Sequence, residues 1–219
     1  MTQLQNGLYP HQVDGIKFLT QHGRAILADD MGLGKTRQAV IAMNEAAPNG
    51  VVLVICPASL KLNWEREIHL VQADDAVEVI GVKGYEVAEP RWVVVNYDQL
   101  AKNAERLRTI RWSGVIIDEA HFIKNASQRT SQVLKIIGVS DKKRESVEGP
   151  RLVFLLTGTP MPNRPRDLFN LLRAVGHPSA RSFLSFAKRY CGAYKNDFGW
   201  VTEGASNIAE LNLLLKEVM

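Results

Sequence analysis

Residues 25–36, AILADDMGLGKT, run from a short apolar segment through two glycines into a Lys-Thr pair. An apolar run of this length suits the end of a buried strand. Gly32 and Gly34 let the backbone turn back sharply, and Lys35-Thr36 opens a helix. Such a turn cradles phosphate. Its backbone amides and the positive end of the helix face the anion, Lys35 reaches the outer phosphates, and the Thr36 hydroxyl is a ligand for Mg2+. Asp30, Met31, Gly32, Leu33, Gly34, Lys35, Thr36 and Arg37 are therefore candidate nucleotide contacts. The generic pattern calls for glycine five positions before Gly34, where Asp29 stands, so the match is incomplete. A strand-to-helix turn without a ligand is the competing account, and Gly-Lys-Thr directly after a strand speaks against it.

A second reactive group lies at 118–121, DEAH. Val115, Ile116 and Ile117 precede it, so Asp118 and Glu119 emerge from a buried strand. Beside a Lys-Thr cradle they suit a single chemistry, in which Asp118 holds Mg2+ while Glu119 orients and deprotonates the water that attacks the γ-phosphate. Lys35, Asp118 and Glu119 are thus the candidate catalytic residues, and Thr36 with Asp118 the candidate metal ligands. An acidic pair complementing a helix dipole is the alternative. His121 has no second His or Cys at ligand spacing, which argues against a metal site built of side chains alone. In TGTP, residues 157–160, the hydroxyls of Thr157 and Thr159 around Gly158 can bond the acidic motif and a neighbouring segment, or simply stabilise a tight turn. Gln12 can read an adenine edge, since an amide both donates and accepts, although a lone Gln on an amphipathic helix is more often solvated.

These groups need a frame. Apolar runs at 51–56, 92–95, 115–117 and 152–156 are too short for helices and too continuous for half-exposed strands, as in a parallel sheet covered on both faces; residues 76–80 suit a further short strand. Helical patterns fall at 8–19, 37–47, 60–70 and 127–137, the last with Ser127 placed to cap it. Alternating strands and helices give a doubly wound α/β sheet with helices on both faces. Five runs each lead into a polar motif: DDMGLGKT, PASLKLNW, NYDQL, DEAH and TGTP. In a parallel sheet all five exits share one edge, the edge where open α/β folds bind ligands.

The totals set bounds. With 219 residues, 46% hydrophobic, the chain is long enough for one large α/β domain. Lys plus Arg exceed Asp plus Glu by 27 to 23, a lean toward polyanions too small to indicate nucleic acid alone. Cys56 and Cys191 are the only cysteines, too few for a disulfide scaffold or zinc cluster, so a reducing compartment is the default. No apolar run approaches the roughly 20 residues of a membrane helix, and the first ten residues lack a signal-peptide layout. The expectation is a soluble, intracellular protein with no membrane partner.

DDMGLGKT at 29–36, DEAH at 118–121, TGTP at 157–160 and PHQ at 10–12 together resemble the SWI/SNF-type helicase-like ATPases of superfamily 2. That family's cradle usually begins with Asp and a second acid, so Asp29 fits it. CPASLKLNWEREI at 56–68 is similar to its motif Ia, HFIKNASQ at 121–128 to the segment after its acidic box, and MPNRPRDLFNLL at 161–172 to the stretch after its motif III. Asp30 and the Arg164-Pro165 pair resemble the annealing-helicase branch. The resemblance implies a RecA-like P-loop lobe over residues 1–176, using ATP and Mg2+ and tracking along double-stranded DNA. It also implies coupling roles for His121, Thr157, Gly158 and Thr159, and DNA contacts at Lys61, Trp64, Tyr97, Lys124 and Asn125. For the lysines a solvated charge is the alternative, and for Trp64 a packed ring.

Residues 177–219 show no second βαβ series. They read as a helical extension leading toward a missing second RecA-like lobe, with helices at 180–191 and 207–218 and a loop at 192–204. Without an arginine from that lobe, worth roughly 10^3 to 10^5 in rate, hydrolysis is expected to be very slow. Residues 138–150 read as a solvated connection. A non-catalytic binding module and a DEAH-type RNA helicase lobe are the alternative readings. The expected location is nuclear in a eukaryote, or cytoplasmic and nucleoid-associated in a prokaryote or virus.

Overall fold

The computed structural model describes residues 7–139, 148–158 and 164–219. Thr159, the rest of the turn after it, and most of the connection at 138–150 lie outside the described residues.

In chain order the elements are α1 (Pro10–His22), β1 (Arg24–Leu27), α2 (Lys35–Ala46), β2 (Val52–Cys56), α3 (Lys61–Val71), β3 (Val77–Val79), β4 (Trp92–Asn96), α4 (Ala104–Thr109), β5 (Gly114–Ile117), α5 (Gln128–Ile136), β6 (Leu152–Leu156), α6 (Phe169–Ala174), α7 (Phe183–Tyr190), β7 (Tyr194–Asn196), β8 (Gly199–Val201) and α8 (Ile208–Leu215). The first six strands form one sheet in the order β1-β6-β5-β2-β4-β3, every neighbouring pair parallel.

The strands are apolar on both sides because both sides are covered. Alternate residues point oppositely along a strand. Ala25, Leu27, Val52, Val54 and Cys56 thus meet Ile16, Leu19, Ala39, Met43, Trp64 and Ile68 of α1, α2 and α3. Ile26, Leu53, Ile55, Val115 and Ile117 meet Leu107, Val133, Leu134, Leu171 and Ala174 of α4, α5 and α6. A third cluster, with Leu168, Phe169, Leu172, Phe186, Tyr190 and Leu211, packs α7 and α8 against α6.

The extension departs from its expected outline. The helix foreseen over 180–191 begins at Phe183, where the Ser182 hydroxyl accepts from the Ser185 amide at 3.4 Å. The segment foreseen as a loop over 192–204 contains the antiparallel hairpin β7-β8. The last helix is shorter than 207–218, starting after Asn207, which takes a left-handed conformation (φ 50°). The chain then returns to the main sheet: the Ile26 amide, on the open side of β1, donates to the Val218 carbonyl at 2.7 Å.

Candidate functional site

Strand register gathers the polar motifs. Leu27 of β1 is level with Leu156 of β6, Leu155 of β6 with Ile117 of β5, Ile117 with Ile55 of β2, and Ile55 with Val95 of β4. All five strands stop together, and the segments following them share one rim. The loop at 28–34 and the Asp118-Glu119 pair leave strands separated only by β6, so their exits stand about 10 Å apart, two interstrand spacings. The segment leaving β6 touches the loop directly, since a Cβ on Gly158 would lie 2.7 Å from Met31 Cγ.

The cradle is held from beneath. Gly32 and Gly34 have φ of 83° and 75°, which L side chains rarely adopt. Three side chains converge on the Leu33 carbonyl: Gln12 Nε2 and Gln38 Nε2 donate to it at 3.2 Å, and His11 Nε2 lies 3.2 Å away. Gln38 also donates to the Asp29 carboxylate at 2.9 Å. The Lys35 ammonium donates to the carbonyls of Asp29 and Asp30 at 2.8 and 2.9 Å, leaving the third of its protons for a ligand. The first amides of α2 have no carbonyl behind them within the helix, as suits an anion. Gln12 is largely committed, its Nε2 to the loop and its Oε1 to the start of α1, where it accepts from the Tyr9 amide at 3.0 Å. His11 and Gln38 escaped the sequence reading. Gln38 reaches back five residues to the Leu33 carbonyl from the first turn of α2, whereas His11 is brought to it by the packing of α1 on α2.

The acidic pair is built with equal care. Asp118 is 7% exposed; its Oδ2 accepts from the Trp64 indole N–H at 2.8 Å and its Oδ1 from the Glu119 amide at 2.9 Å. Burial pushes the Asp118 carboxyl above the ordinary carboxylate range; these two donors and the nearby Lys35 charge pull the other way, while the Glu119 charge adds to the rise. Glu119 itself takes a left-handed backbone conformation, φ 49° and ψ 52°. A non-glycine residue there costs of order 1 kcal/mol and persists only where surroundings enforce it, as at functional sites. His121 Nδ1 lies 3.1 Å from Glu119 Oε2, at an angle that makes no hydrogen bond. The Thr157 amide donates to the Leu27 carbonyl at 3.1 Å, anchoring the third motif beside the cradle.

The residues named from the resemblance as DNA contacts part company. Trp64 is fully buried and spends its N–H on Asp118, so packing against the sheet removes it from any DNA-facing surface. Tyr97 is buried beneath the acidic motif, its hydroxyl donating to the Asp118 carbonyl at 2.6 Å. The Lys61 ammonium donates to the Ile80 carbonyl at 2.9 Å from a buried position. All three brace the rim from inside. Lys124 and Asn125 stay at the surface, with Lys124 Nζ 3.6 Å from Asp167. Arg129, overlooked in the sequence, lies over both Tyr97 and Phe122, 5.3 Å from each ring centre. Cys56, at the end of β2, is inert at neutral pH: burial pushes its thiol up to about 12.

The donor set suits a hard cation shared with a phosphate. Mg2+ keeps several waters and takes one or two protein oxygens together with substrate phosphates. Thr36 and Asp118 supply oxygens of that kind. Among the described residues no group of three or more His, Cys, Asp or Glu forms an all-protein metal cage.

The SNF2-related domain matches residues 11–219. The chain is 34% identical over 225 residues to the bovine (Bos taurus) SWI/SNF-related matrix-associated actin-dependent regulator of chromatin subfamily A-like protein 1, covering 100% of this chain and 23% of that protein. It is 33% identical over 231 residues to the DNA annealing helicase and endonuclease ZRANB3 of Mus musculus, covering 99% and 21% respectively. The chain thus spans under a quarter of these curated relatives. Among solved structures, the Sulfolobus solfataricus SWI2/SNF2 ATPase core in complex with dsDNA superposes with a TM-score of 0.77 at 24% identity, over 96% of this chain and 43% of that one. The Sulfolobus solfataricus SWI2/SNF2 ATPase core domain gives 0.70 at 25% identity, over 87% and 39%.

Proposed function

Because the chain belongs to the SNF2-related domain family, we propose that it is the ATP-binding lobe of a motor that moves along or remodels double-stranded DNA. The observation that carries this reading is the common level at which five parallel strands end, with a Gly-Lys-Thr loop and an Asp-Glu pair, its Asp118 buried, two strands apart.

In this reading the amides of residues 32–36 and the Lys35 ammonium bind the outer phosphates of ATP. Thr36 and Asp118 would hold Mg2+, which would supply charge neutralisation for the phosphates. Glu119, fixed in its left-handed conformation, accepts the proton of the attacking water. His121 sits between Glu119 and Phe122, its ring 4.7 Å from that of Phe122, and so links the acidic pair to the surface bearing Lys124, Asn125 and Arg129. Gln12 contributes its remaining proton to an adenine edge, and Thr157, Gly158 and the undescribed Thr159 carry the coupling between cradle and acidic motif. Completion of the hydrolytic site falls to arginines of a second RecA-like lobe, so hydrolysis by this chain alone is slow. The nucleus is the natural location in a eukaryotic host.

Isothermal titration with ATP or ADP tests the reading. Binding is expected with Mg2+, and sharp weakening in Lys35→Ala. Equal binding by the variant would refute it. Duplex DNA is expected to bind with an affinity that falls as salt rises, and more tightly than duplex RNA.

A further inference from the structure

The β7-β8 hairpin exposes what most folds hide. Tyr194 is 59% exposed, Trp200 44% and Phe198, at the turn, 99%. An isolated two-stranded hairpin is marginally stable, and burying these rings would help it. Instead the hairpin is fastened at its base while its rings stay in solvent. The Gly192 amide donates to Ser206 Oγ at 2.8 Å, the Ala193 amide to the Ala187 carbonyl at 3.2 Å, and the Ser206 amide to the Tyr190 carbonyl at 2.8 Å. A rigid support that presents aromatic rings outward is a binding device.

Its charge says what it binds. Lys195 stands directly opposite Trp200 across the strand pair, so both occupy the same face. Lys188 of α7 places its ammonium 4.8 Å from the centre of the Trp200 ring. The nearby carboxylates are engaged elsewhere: Glu203 by Arg164 and Arg166, and Glu210 by Arg189 and the Tyr190 hydroxyl. No carboxylate among the described residues forms an ion pair with Lys188 or Lys195. Exposed rings alone fit a protein partner as well, and it is the two lysines gathered on Trp200, lysine being depleted in protein interfaces, that point to a polyanion. A duplex offers phosphates but keeps its base faces stacked.

We propose that the face bearing Lys188, Lys195 and Trp200, with Phe198 at its tip, binds single-stranded nucleic acid, the bases stacking on the rings and the lysines meeting phosphates. Aromatic rings interleaved with cations are how sequence-tolerant single-strand sites work. None of these residues belongs to the nucleotide rim.

The test uses the intact chain and a fluorescein-labelled oligo-dT of about ten nucleotides, the scale of one such site, read by anisotropy with intrinsic tryptophan fluorescence in parallel. The expected result is binding that quenches tryptophan emission and weakens about tenfold in Trp200→Ala and in Phe198→Ala. Removing either lysine should lessen the salt dependence by about 0.7 in the log-log slope, the increment for one single-strand phosphate contact. Unchanged oligo-dT affinity in both aromatic variants overturns the proposal. So does unlabelled duplex that displaces the oligonucleotide as well as single strand does, or self-association of the chain abolished by Trp200→Ala. Magnesium-nucleotide binding measured on the same Trp200→Ala protein keeps the two readings apart: its presence or absence bears on the rim alone.

Discussion

Trp64 and Trp200 are one residue type put to opposite uses. Trp64, on α3, has its ring sealed in the core and its N–H on the Asp118 carboxylate at the end of β5. Trp200 stands on the hairpin, nearly half in water, with a lysine against its ring. The lysines divide likewise. Lys61 is folded inward onto a backbone carbonyl, whereas Lys188 and Lys195 face solvent. At the rim Trp64 and Lys61 are spent on holding the site rigid; on the hairpin Trp200, Lys188 and Lys195 stand in solvent. Residue chemistry alone therefore does not identify a binding surface, and the packing around the residue decides.

The contrast can be broken by measurement. Trp64→Ala should lose about 3–5 kcal/mol in chemical denaturation, the usual cost of emptying a large aromatic site, and it also takes the indole donor from the buried Asp118 Oδ2. A loss below about 1 kcal/mol would mean the ring is not the brace described. Next in size, Lys35→Ala should weaken Mg2+-nucleotide binding by about 2 kcal/mol, roughly thirtyfold, with stability nearly unchanged, as read by titration calorimetry and thermal melting. Gly34→Ala is expected to cost about 1–2 kcal/mol, because L residues resist a positive φ and the new Cβ would lie 2.4 Å from Gln12 Nε2. Its nucleotide affinity should fall as well, since Gln12 must release the Leu33 carbonyl. Smallest of all, Trp200→Ala should change denaturation stability by no more than about 0.5 kcal/mol. A large loss there would make the hairpin ring a packing element and erase the distinction between the two tryptophans.

Much of this organisation is legible in the sequence, for physical reasons. The strands announce themselves because β1, β2, β4, β5 and β6 are buried on both faces and so must be continuously apolar. The cradle and the acidic pair are legible because their chemistry depends on residue type at short, fixed spacing: glycine for the turn, Lys-Thr at the helix start, carboxylates at a strand end. Ser127 reads as a cap and is one, its hydroxyl accepting from the Thr130 amide at 3.2 Å. What escapes is non-local. Whether Trp64, Tyr97 and Lys61 point in or out is set by how their elements settle on the sheet. His11 reaches the Leu33 carbonyl only because α1 packs beside the loop, and a backbone conformation like that of Glu119 leaves no trace in composition. The hairpin is hidden for another reason: strands of three residues are too short for alternation to stand out.

Everything proposed for the rim requires that separate strand ends grip one triphosphate and its metal. A crystal structure of this chain with Mg2+ and a non-hydrolysable ATP analogue would show whether they do. The triphosphate is expected over residues 32–36, the metal between Thr36 and Asp118, and Glu119 facing the terminal phosphate. A triphosphate bound away from that loop, or lying out of reach of Asp118 and Glu119, would refute the assignment.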